Sequence, residues 1–245
     1  MNSILNLLKG KDYAITENLI LRNPTLNEIS EEDENLYYAT ISMICSTPSD
    51  YLVVLNDEMG IDWEKISEYE WFISVFRGIP EKGLNLIFKD FSLNDKDWAI
   101  DNEIQEICLI DKDGNKIITP KIYDDLVKLL RELHGFQKNT RISGNKSAHD
   151  AILRSERKKS KRQKFLNAKR RQKSVLYPTI STLVNLESFK YNYSTVWDLH
   201  IYQFTDALKR TQKIKYYNQL MAGVYAGTVD ASKIDKSDLL LFEDL

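Results

Sequence analysis

Residues 154–173 read RSERKKSKRQKFLNAKRRQK, and this basic run decides how the chain is organised. It holds eleven Lys and Arg residues and one acid, Glu156, so its formal charge is 11 − 1 = +10. The whole chain of 245 residues carries −2, which leaves −2 − 10 = −12 for the remainder. The basic run contains no proline or glycine, the residues that interrupt helices. We therefore predict a solvated linker or helix that joins two anionic parts.

The first part, residues 1–135, is predicted to be an acidic and mostly helical domain. Apolar residues recur there at intervals of three and four, as they do on one face of a helix. Two such segments are Ile66, Tyr69, Ile73 and Phe76, and Ile122, Leu126, Leu129, Leu130 and Leu133. Thr119 and Pro120 have the residue types expected at the N-cap and first position of the second helix.

Two segments of the first part are prone to form β-structure. Residues 13–21 are rich in strand-forming side chains. Near residues 104–118, an Asp-Gly pair lies between two apolar runs, which predicts a β-hairpin. The alternation of Asp111, Asp113 and Asn115 also resembles a calcium loop, but the glycine and glutamate that an EF-hand requires at its sixth and twelfth positions are absent. The hairpin turn is the favoured interpretation.

The second part of the chain is smaller and also helical in pattern. Residues 136–174 are predicted to form a polar and then basic linker or helix, and residues 175–245 a small C-terminal helical domain. Pro178 marks the entry to this domain. Ser194 or Thr195 is predicted to begin its main helix, and residues 195–198 fit a capping box with Asp198 in place of glutamate. The predicted fold class is therefore mainly α with a small β-hairpin element, in two helical parts joined by the basic linker or helix.

Cysteine usage and hydropathy predict a cytoplasmic protein. The two cysteines, Cys45 and Cys108, lie far apart in apolar stretches, which does not suggest a disulfide framework. Residues 1–10 lack the charged and apolar regions of a secretory signal. No apolar stretch approaches the roughly 18 residues of a membrane span. We expect buried, inert thiols and no association with a membrane.

The residue pattern suggests no catalytic, cofactor or metal site. His134, His149 and His200 are far apart, and no Cys or His residues have the spacing of a metal site. His134 falls in the last turn of a predicted helix, where a cation is favoured. We expect a protein that is not an enzyme and has no cofactor. Because active sites assemble in space, an enzyme with a dispersed site stays open as a further class.

The cations of the basic run are the main candidates for binding a partner or a nucleic acid. They are Arg154, Arg157, Lys158, Lys159, Lys161, Arg162, Lys164, Lys169, Arg170, Arg171 and Lys173. Such a density of charge attracts phosphates, and the release of counterions would make binding dependent on salt. Phe165 is the only aromatic residue among them, which argues against a platform for stacking single strands. The alternative is a solvated helix that pairs with the acidic body or with an acidic partner.

The C-terminal domain is dense in aromatic residues. Most of them are expected to belong to its core. Those on an exposed side would mark a protein-docking face, since Tyr and Trp are frequent anchors of protein interfaces. The candidates are Trp197, Tyr202, Tyr216, Tyr217 and Tyr225.

Two C-terminal stretches carry a resemblance to a known group of proteins. Residues 196–210 read VWDLHIYQFTDALKR and residues 218–230 read NQLMAGVYAGTVD. They resemble the C-terminal part of proteins encoded in the tail-gene clusters of tailed phages and prophages of Gram-positive bacteria. Residues 23–29 (NPTLNEI) and 47–50 (TPSD) agree with the same group.

Such proteins resemble tail assembly chaperones, in which an acidic N-terminal domain is joined by a linker to a smaller C-terminal domain. The resemblance implies a chaperone that coats the long helical tape-measure protein and delivers tube subunits to it. Many such chaperones produce the second part by a frameshift, whereas this single chain contains both.

The resulting prediction is a non-catalytic phage tail assembly factor in the cytoplasm of the bacterial host. Tail proteins such as the tape-measure protein are its expected partners, and self-association into a homo-oligomer is compatible with the pattern. Two alternatives stay open. One is a nucleic-acid-binding phage protein that acts through residues 154–173, and the other is a structural component of the tail or baseplate.

Overall fold

The computed structural model describes residues 4–102, 105–169 and 174–241. Over this range the protein is mainly α-helical with two small antiparallel sheets, which confirms the predicted fold class. The α-helices are α1 (Ile4–Leu8), α2 (Leu26–Glu32), α3 (Glu34–Ile44), α4 (Leu52–Asp57), α5 (Glu68–Phe76), α6 (Glu81–Ile87), α7 (Pro120–His134), α8 (Lys146–Lys169), α9 (Leu176–Val184) and α10 (Ile201–Tyr225). Short 3₁₀ helices lie at Pro48–Asp50, Trp63–Lys65, Val196–Asp198, Ala231–Lys233 and Lys236–Leu239. None of the described helices combines the length and the apolar character needed to cross a membrane.

Each of the two sheets has three strands. The strands are β1 (Tyr13–Thr16), β2 (Leu19–Leu21) and β3 (Phe88–Lys89) in the first sheet, and β4 (Lys96–Asp101), β5 (Glu106–Asp111) and β6 (Lys116–Ile118) in the second. β5 and β6 form the predicted hairpin, and Asp111 Oδ1 accepts the backbone N–H groups of Asp113 (2.9 Å) and Asn115 (2.8 Å) in its turn. The sequence did not predict β4, because both of its faces are partly exposed and its apolar run is short.

The main hydrophobic core contains residues from both ends of the chain. From the N-terminal part it includes Leu7, Leu26, Ile41, Phe72, Phe76, Leu126 and Leu130. From the C-terminal part it includes Leu176, Ile180, Leu183, Val196, Leu199, Ile201 and Phe204. The C-terminal elements thus complete the same core that the N-terminal helices begin. Domain boundaries at 135 and 175 stay a prediction.

Backbone hydrogen bonds join the segment before α2 to the segment before α10. The N–H of Leu26 donates to the carbonyl of Leu199 (2.9 Å), and the N–H of Ile201 donates to the carbonyl of Pro24 (2.8 Å). Asn23, which is buried, donates from its side-chain amide to the carbonyl of Leu7 (2.9 Å). We call these contacts the terminal seam, because they hold residues near the N-terminus against the C-terminal part.

The main C-terminal helix begins later than the sequence predicted. Thr195 precedes a short 3₁₀ helix that ends at Asp198, and Thr195 makes no side-chain cap there. α10 begins at Ile201, and the N–H of His200 donates to the side chain of Gln203 (2.9 Å). The terminal seam accounts for the difference, since its hydrogen bonds hold Leu199 in an extended conformation that a helix cannot include.

Candidate partner-binding surfaces

The first half of α8 is docked on the N-terminal part of the protein. Leu153 is buried there in a small second core with Leu52, Leu55, Trp63 and Trp71. Ile152 also packs against this core. Two adjacent apolar residues do not form a helical stripe, so the sequence did not predict this apolar contact, although it offered pairing with the acidic body as an alternative.

Polar contacts orient the same half of α8. The imidazole of His149 stacks on Trp63 with the ring centroids 4.1 Å apart, and its Nε2 lies 3.3 Å from Asp62 Oδ1. One turn beyond Leu153, the Nε of Arg157 donates to Asp57 Oδ2 at 2.8 Å. This hydrogen bond lowers the pKa of Asp57. The stacking of His149 and the hydrogen bond of Arg157, together with the burial of Leu153, therefore fix the rotation of α8 about its axis.

The cations of the basic run that face the protein have acidic partners. Glu156, the one acid of the run, accepts a hydrogen bond from Lys159 (2.7 Å) and another from Arg141. Arg157 and Lys159, two candidate cations whose side chains the structure describes, thus form ion pairs with acids of the protein itself. Exposed pairs of this kind contribute little to stability, and their main effect is on orientation.

Other cations of α8 are exposed to solvent. Arg154, Lys158, Lys161 and Arg162 are all exposed and lie within about 100° of one another around the helix axis, from the 100° rotation per residue. We call these four residues the cationic stripe. Phe165 continues it and is 61% exposed. Arg154 Nε donates to the carbonyl of Asp150, one turn earlier (3.2 Å).

The structure describes only some of the other cations of the basic run. The backbone of Lys164 and Lys169 belongs to α8. Arg170, Arg171 and Lys173 lie outside the described residues.

A second exposed surface lies on the later half of α10. Ile214, Tyr217, Met221 and Tyr225 follow one another at intervals of three, four and four, which places them on one face of the helix. We call these four residues the apolar stripe. Ile214 is 48% exposed and Tyr225 83%, whereas Tyr217 and Met221 are half-buried.

The C-terminal segment covers a different side of this helix. A Cβ added at Gly223 would meet the side chain of Val229 at 2.7 Å, so the chain folds back closely at that point. Tyr216 is half exposed and its hydroxyl lies 3.5 Å from a carboxylate oxygen of Asp238. Residues 228–238 therefore pack along the helix side that carries Tyr216, and within the described part of the chain Ile214 and Tyr225 of the apolar stripe stay exposed.

The aromatic candidates divide between the core and the surface. Trp197 and Tyr202 are half-buried and pack against the main core, and Trp197 donates its indole N–H to the carbonyl of Tyr193 (2.9 Å). Tyr216, Tyr217 and Tyr225 lie on the later half of α10. The spacing of the aromatic residues could not show which of them are buried. That depends on how far along α10 the rest of the protein packs against the helix.

One cluster with the residue types of a metal site comes together only in space. The nearest ligand atoms of Asp62, Glu64 and His149 all lie within 4.8 Å of one another, so these residues could hold a metal ion. Glu64 accepts hydrogen bonds from the backbone N–H and the hydroxyl of Ser143, the latter at 3.1 Å. The sequence missed the cluster because 85 residues separate His149 from Glu64. In this structure its members connect the 3₁₀ helix at Trp63–Lys65 to the beginning of α8.

Two predictions about single titratable residues have different outcomes. His134 was expected to be a cation at a helix end, and this is wrong. Burial lowers its pKa to about 4, and its Nε2 lies 2.9 Å from the hydroxyl of Tyr37. Cys45 and Cys108 are buried as expected, and burial raises the pKa of Cys45 to about 12, well away from a reactive thiolate.

Comparison with known proteins links the C-terminal part of the chain to one family. A family model described as the YomV second domain matches residues 169–240. This family is associated with phages and prophages, so the match supports a phage-related protein. The matched residues include α9, α10 and the apolar stripe. No curated protein and no solved structure matches the chain.

Proposed function

We propose that this protein is a non-catalytic phage tail assembly factor that binds a helical tail protein through the apolar stripe on α10. The exposure of that stripe is the observation that carries the proposal. Ile214 and Tyr225 expose large apolar surfaces at a helical spacing, and amphipathic helices commonly recognise partners through such positions.

The location of the stripe supports a role related to phages. It lies inside the region that matches the phage-associated family, and inside or beside the two stretches that resemble tail-cluster proteins. A tape-measure protein is long and helical, so it offers apolar helix faces along its whole length. Contact between two such faces would bury the rings of Tyr217 and Tyr225, the type of anchor that contributes most to protein interfaces.

The test is co-expression with the tape-measure protein of the same phage, with the soluble fraction of that protein as the readout. We expect the unchanged chain to increase the soluble fraction and to co-purify with the tape-measure protein. Changing Ile214→Ser and Tyr225→Ser together should remove both effects, because the stripe loses its two most exposed apolar side chains.

A matched control changes one isoleucine and one tyrosine elsewhere. Ile142 is 79% exposed and Tyr177 73%, and neither lies on the apolar stripe. Ile142→Ser with Tyr177→Ser should keep both effects. The proposal fails if the tape-measure protein is equally soluble with and without this chain, or if the control pair abolishes solubility as completely as the stripe pair.

A further inference from the structure

We infer that the cationic stripe of α8 is a binding site for the phosphate backbone of a nucleic-acid duplex. The inference depends on how α8 is placed. Leu153 and Arg157 contact the rest of the protein. Solvent-exposed cations lie beside them on the same helix: Arg154, Lys158, Lys161 and Arg162. The site is separate from the apolar stripe, and the inference does not rest on the proposed function.

The orientation of α8 argues against a helix whose cations serve the acidic body. The chain outside the basic run carries −12 by difference, so acidic groups for internal pairing are abundant. Among the described residues, however, no carboxylate forms an ion pair with Lys158, Lys161 or Arg162. Lys158 and Arg162 lie on the helix side away from Leu153, and Lys161, one turn beyond Arg157, is exposed. An external anion is therefore the partner that the arrangement fits.

The shape of α8 favours a duplex. Lys161, Arg162, Gln163 and Phe165 are all exposed, so α8 keeps one side open to solvent beyond Ser160. A single helix of this kind fits the major groove of B-DNA, which is about 12 Å wide. Along the helix, positions 154 to 162 span about 12 Å, while each strand of B-DNA presents a phosphate about every 3.4 Å along its axis.

The composition of the stripe argues for backbone contacts rather than base stacking. Phe165 is the one aromatic residue in the basic run, whereas proteins that bind single strands present several aromatic platforms in succession. Lys and Arg bind phosphates without reading the sequence of the bases. We therefore expect binding that depends on salt and not on base sequence.

The experiment measures binding of the full chain to a labelled 20-base-pair duplex of arbitrary sequence by fluorescence anisotropy, between 50 and 200 mM salt. Four phosphate contacts give a slope of log K against log salt of about −3.6, which is about a 100-fold loss of affinity over this range. Lys158→Gln, Lys161→Gln and Arg162→Gln together should reduce the slope by about 2.7 and weaken binding at 50 mM by at least about tenfold.

A control variant with the same net charge separates a defined site from general attraction. Lys9, Lys112 and Lys121 are exposed on the N-terminal part, and changing all three to Gln also removes three positive charges. This control should keep the slope and the affinity of the unchanged protein. Circular dichroism of both variants should match the unchanged protein, because none of the six side chains is buried.

Several outcomes would overturn the inference. One is an equal loss of affinity for the duplex in the stripe variant and the control variant. The others are tighter binding of the protein to a single strand than to the duplex, and no binding to the duplex at 50 mM salt. Displacement of the duplex by poly-glutamate at equal charge concentration would indicate an acidic protein as the partner instead. The stripe variant should still solubilise the tape-measure protein, so failure here is distinguishable from failure of the proposed function.

Discussion

Tyr37 and His134 form a polar contact beneath the surface, between residues 97 positions apart in the chain. The Tyr37 hydroxyl lies 2.9 Å from Nε2 of His134, and Nδ1 of the same ring lies 2.9 Å from the carbonyl of Leu130. Burial lowers the pKa of His134 to about 4 and raises the pKa of Tyr37 well above its ordinary value. Both groups are therefore neutral near pH 7.

This contact predicts a stability that falls in mild acid. Unfolded histidine has a pKa of about 6.5, so between that value and about 4 the unfolded chain binds more protons than the folded one. The free energy of unfolding should therefore decrease as the pH falls from 6.5 towards 4, by roughly 1–3 kcal/mol for this residue. Urea unfolding at pH 7 and pH 5 measures it.

His134→Gln keeps a hydrogen-bonding side chain but cannot titrate. The decrease between pH 7 and pH 5 should be smaller in this variant than in the unchanged protein. The same decrease in both proteins would show that His134 is not the group responsible.

The prediction about His134 that failed shows what residue patterns miss. Position in the last turn of α7 favours a cation, but Tyr37 comes from α3 and the ring is desolvated by tertiary packing. The expected charge of His134 was based on its position in α7, whereas packing against residues distant in the sequence keeps the ring neutral. By contrast, Asp111 and its turn were predictable because all of the partners lie within four residues.

Helices α3 and α6 approach each other closely at Gly83. A Cβ added to this residue would lie 2.4 Å from the hydroxyl oxygen of Thr40, which is also buried. Such a distance requires the side chain of Thr40 or one of the helices to shift, since real Cβ atoms do not approach other atoms that closely.

Gly83→Ala should destabilise the protein by about 1–3 kcal/mol in urea unfolding, because the added methyl group overpacks this contact. Thr40→Ala in the same chain should restore part of the loss, and the double-mutant cycle measures the coupling. Gly144→Ala is the control, since a Cβ there meets nothing within 4 Å. Additive effects at Gly83 and Thr40 would contradict the close approach.

The docking of α8 depends on Leu153. Leu153→Ala should release the first half of the helix from Trp63 and Trp71 at a cost of about 2–4 kcal/mol, because it leaves a cavity in the second core. Amide hydrogen exchange of residues 146–160 should then become faster, with α5 unaffected. Ile142→Ala, at an exposed position, should change neither. Unchanged exchange in the Leu153 variant would show that Ile152 and the polar contacts hold α8 without Leu153.

At the scale of the whole molecule, the terminal seam makes both ends of the chain parts of one core. The domain boundaries at residues 135 and 175 stay a prediction, because charge reports on the solvated surface and carries little information about the interior. The seam depends on contacts such as Tyr202 N–H to Asn23 Oδ1 (3.3 Å), between residues 179 apart. No local pattern in the sequence reveals such a pair.

Asn23→Ala should lower the free energy of unfolding by about 1–3 kcal/mol, because it removes the side-chain hydrogen bonds of Asn23 to the carbonyl of Leu7 and from the N–H of Tyr202. Circular dichroism and tryptophan fluorescence should still follow a single transition in urea. Asn218→Ala, at an exposed position of α10, should cost less than about 0.5 kcal/mol. Two separated transitions in the unchanged protein would refute a shared core.

The arrangement of the core also has a consequence for biosynthesis. Phe204 is the last buried residue of the main cluster in chain order, so the N-terminal helices expose an incomplete apolar surface until more than 200 residues have been translated. At about 5–20 residues per second, this interval is on the order of 10 seconds or more on the ribosome. During that time the nascent chain presents the surface that Leu176, Ile180 and Phe204 later cover, and it is a natural substrate for host factors that bind unfolded chains.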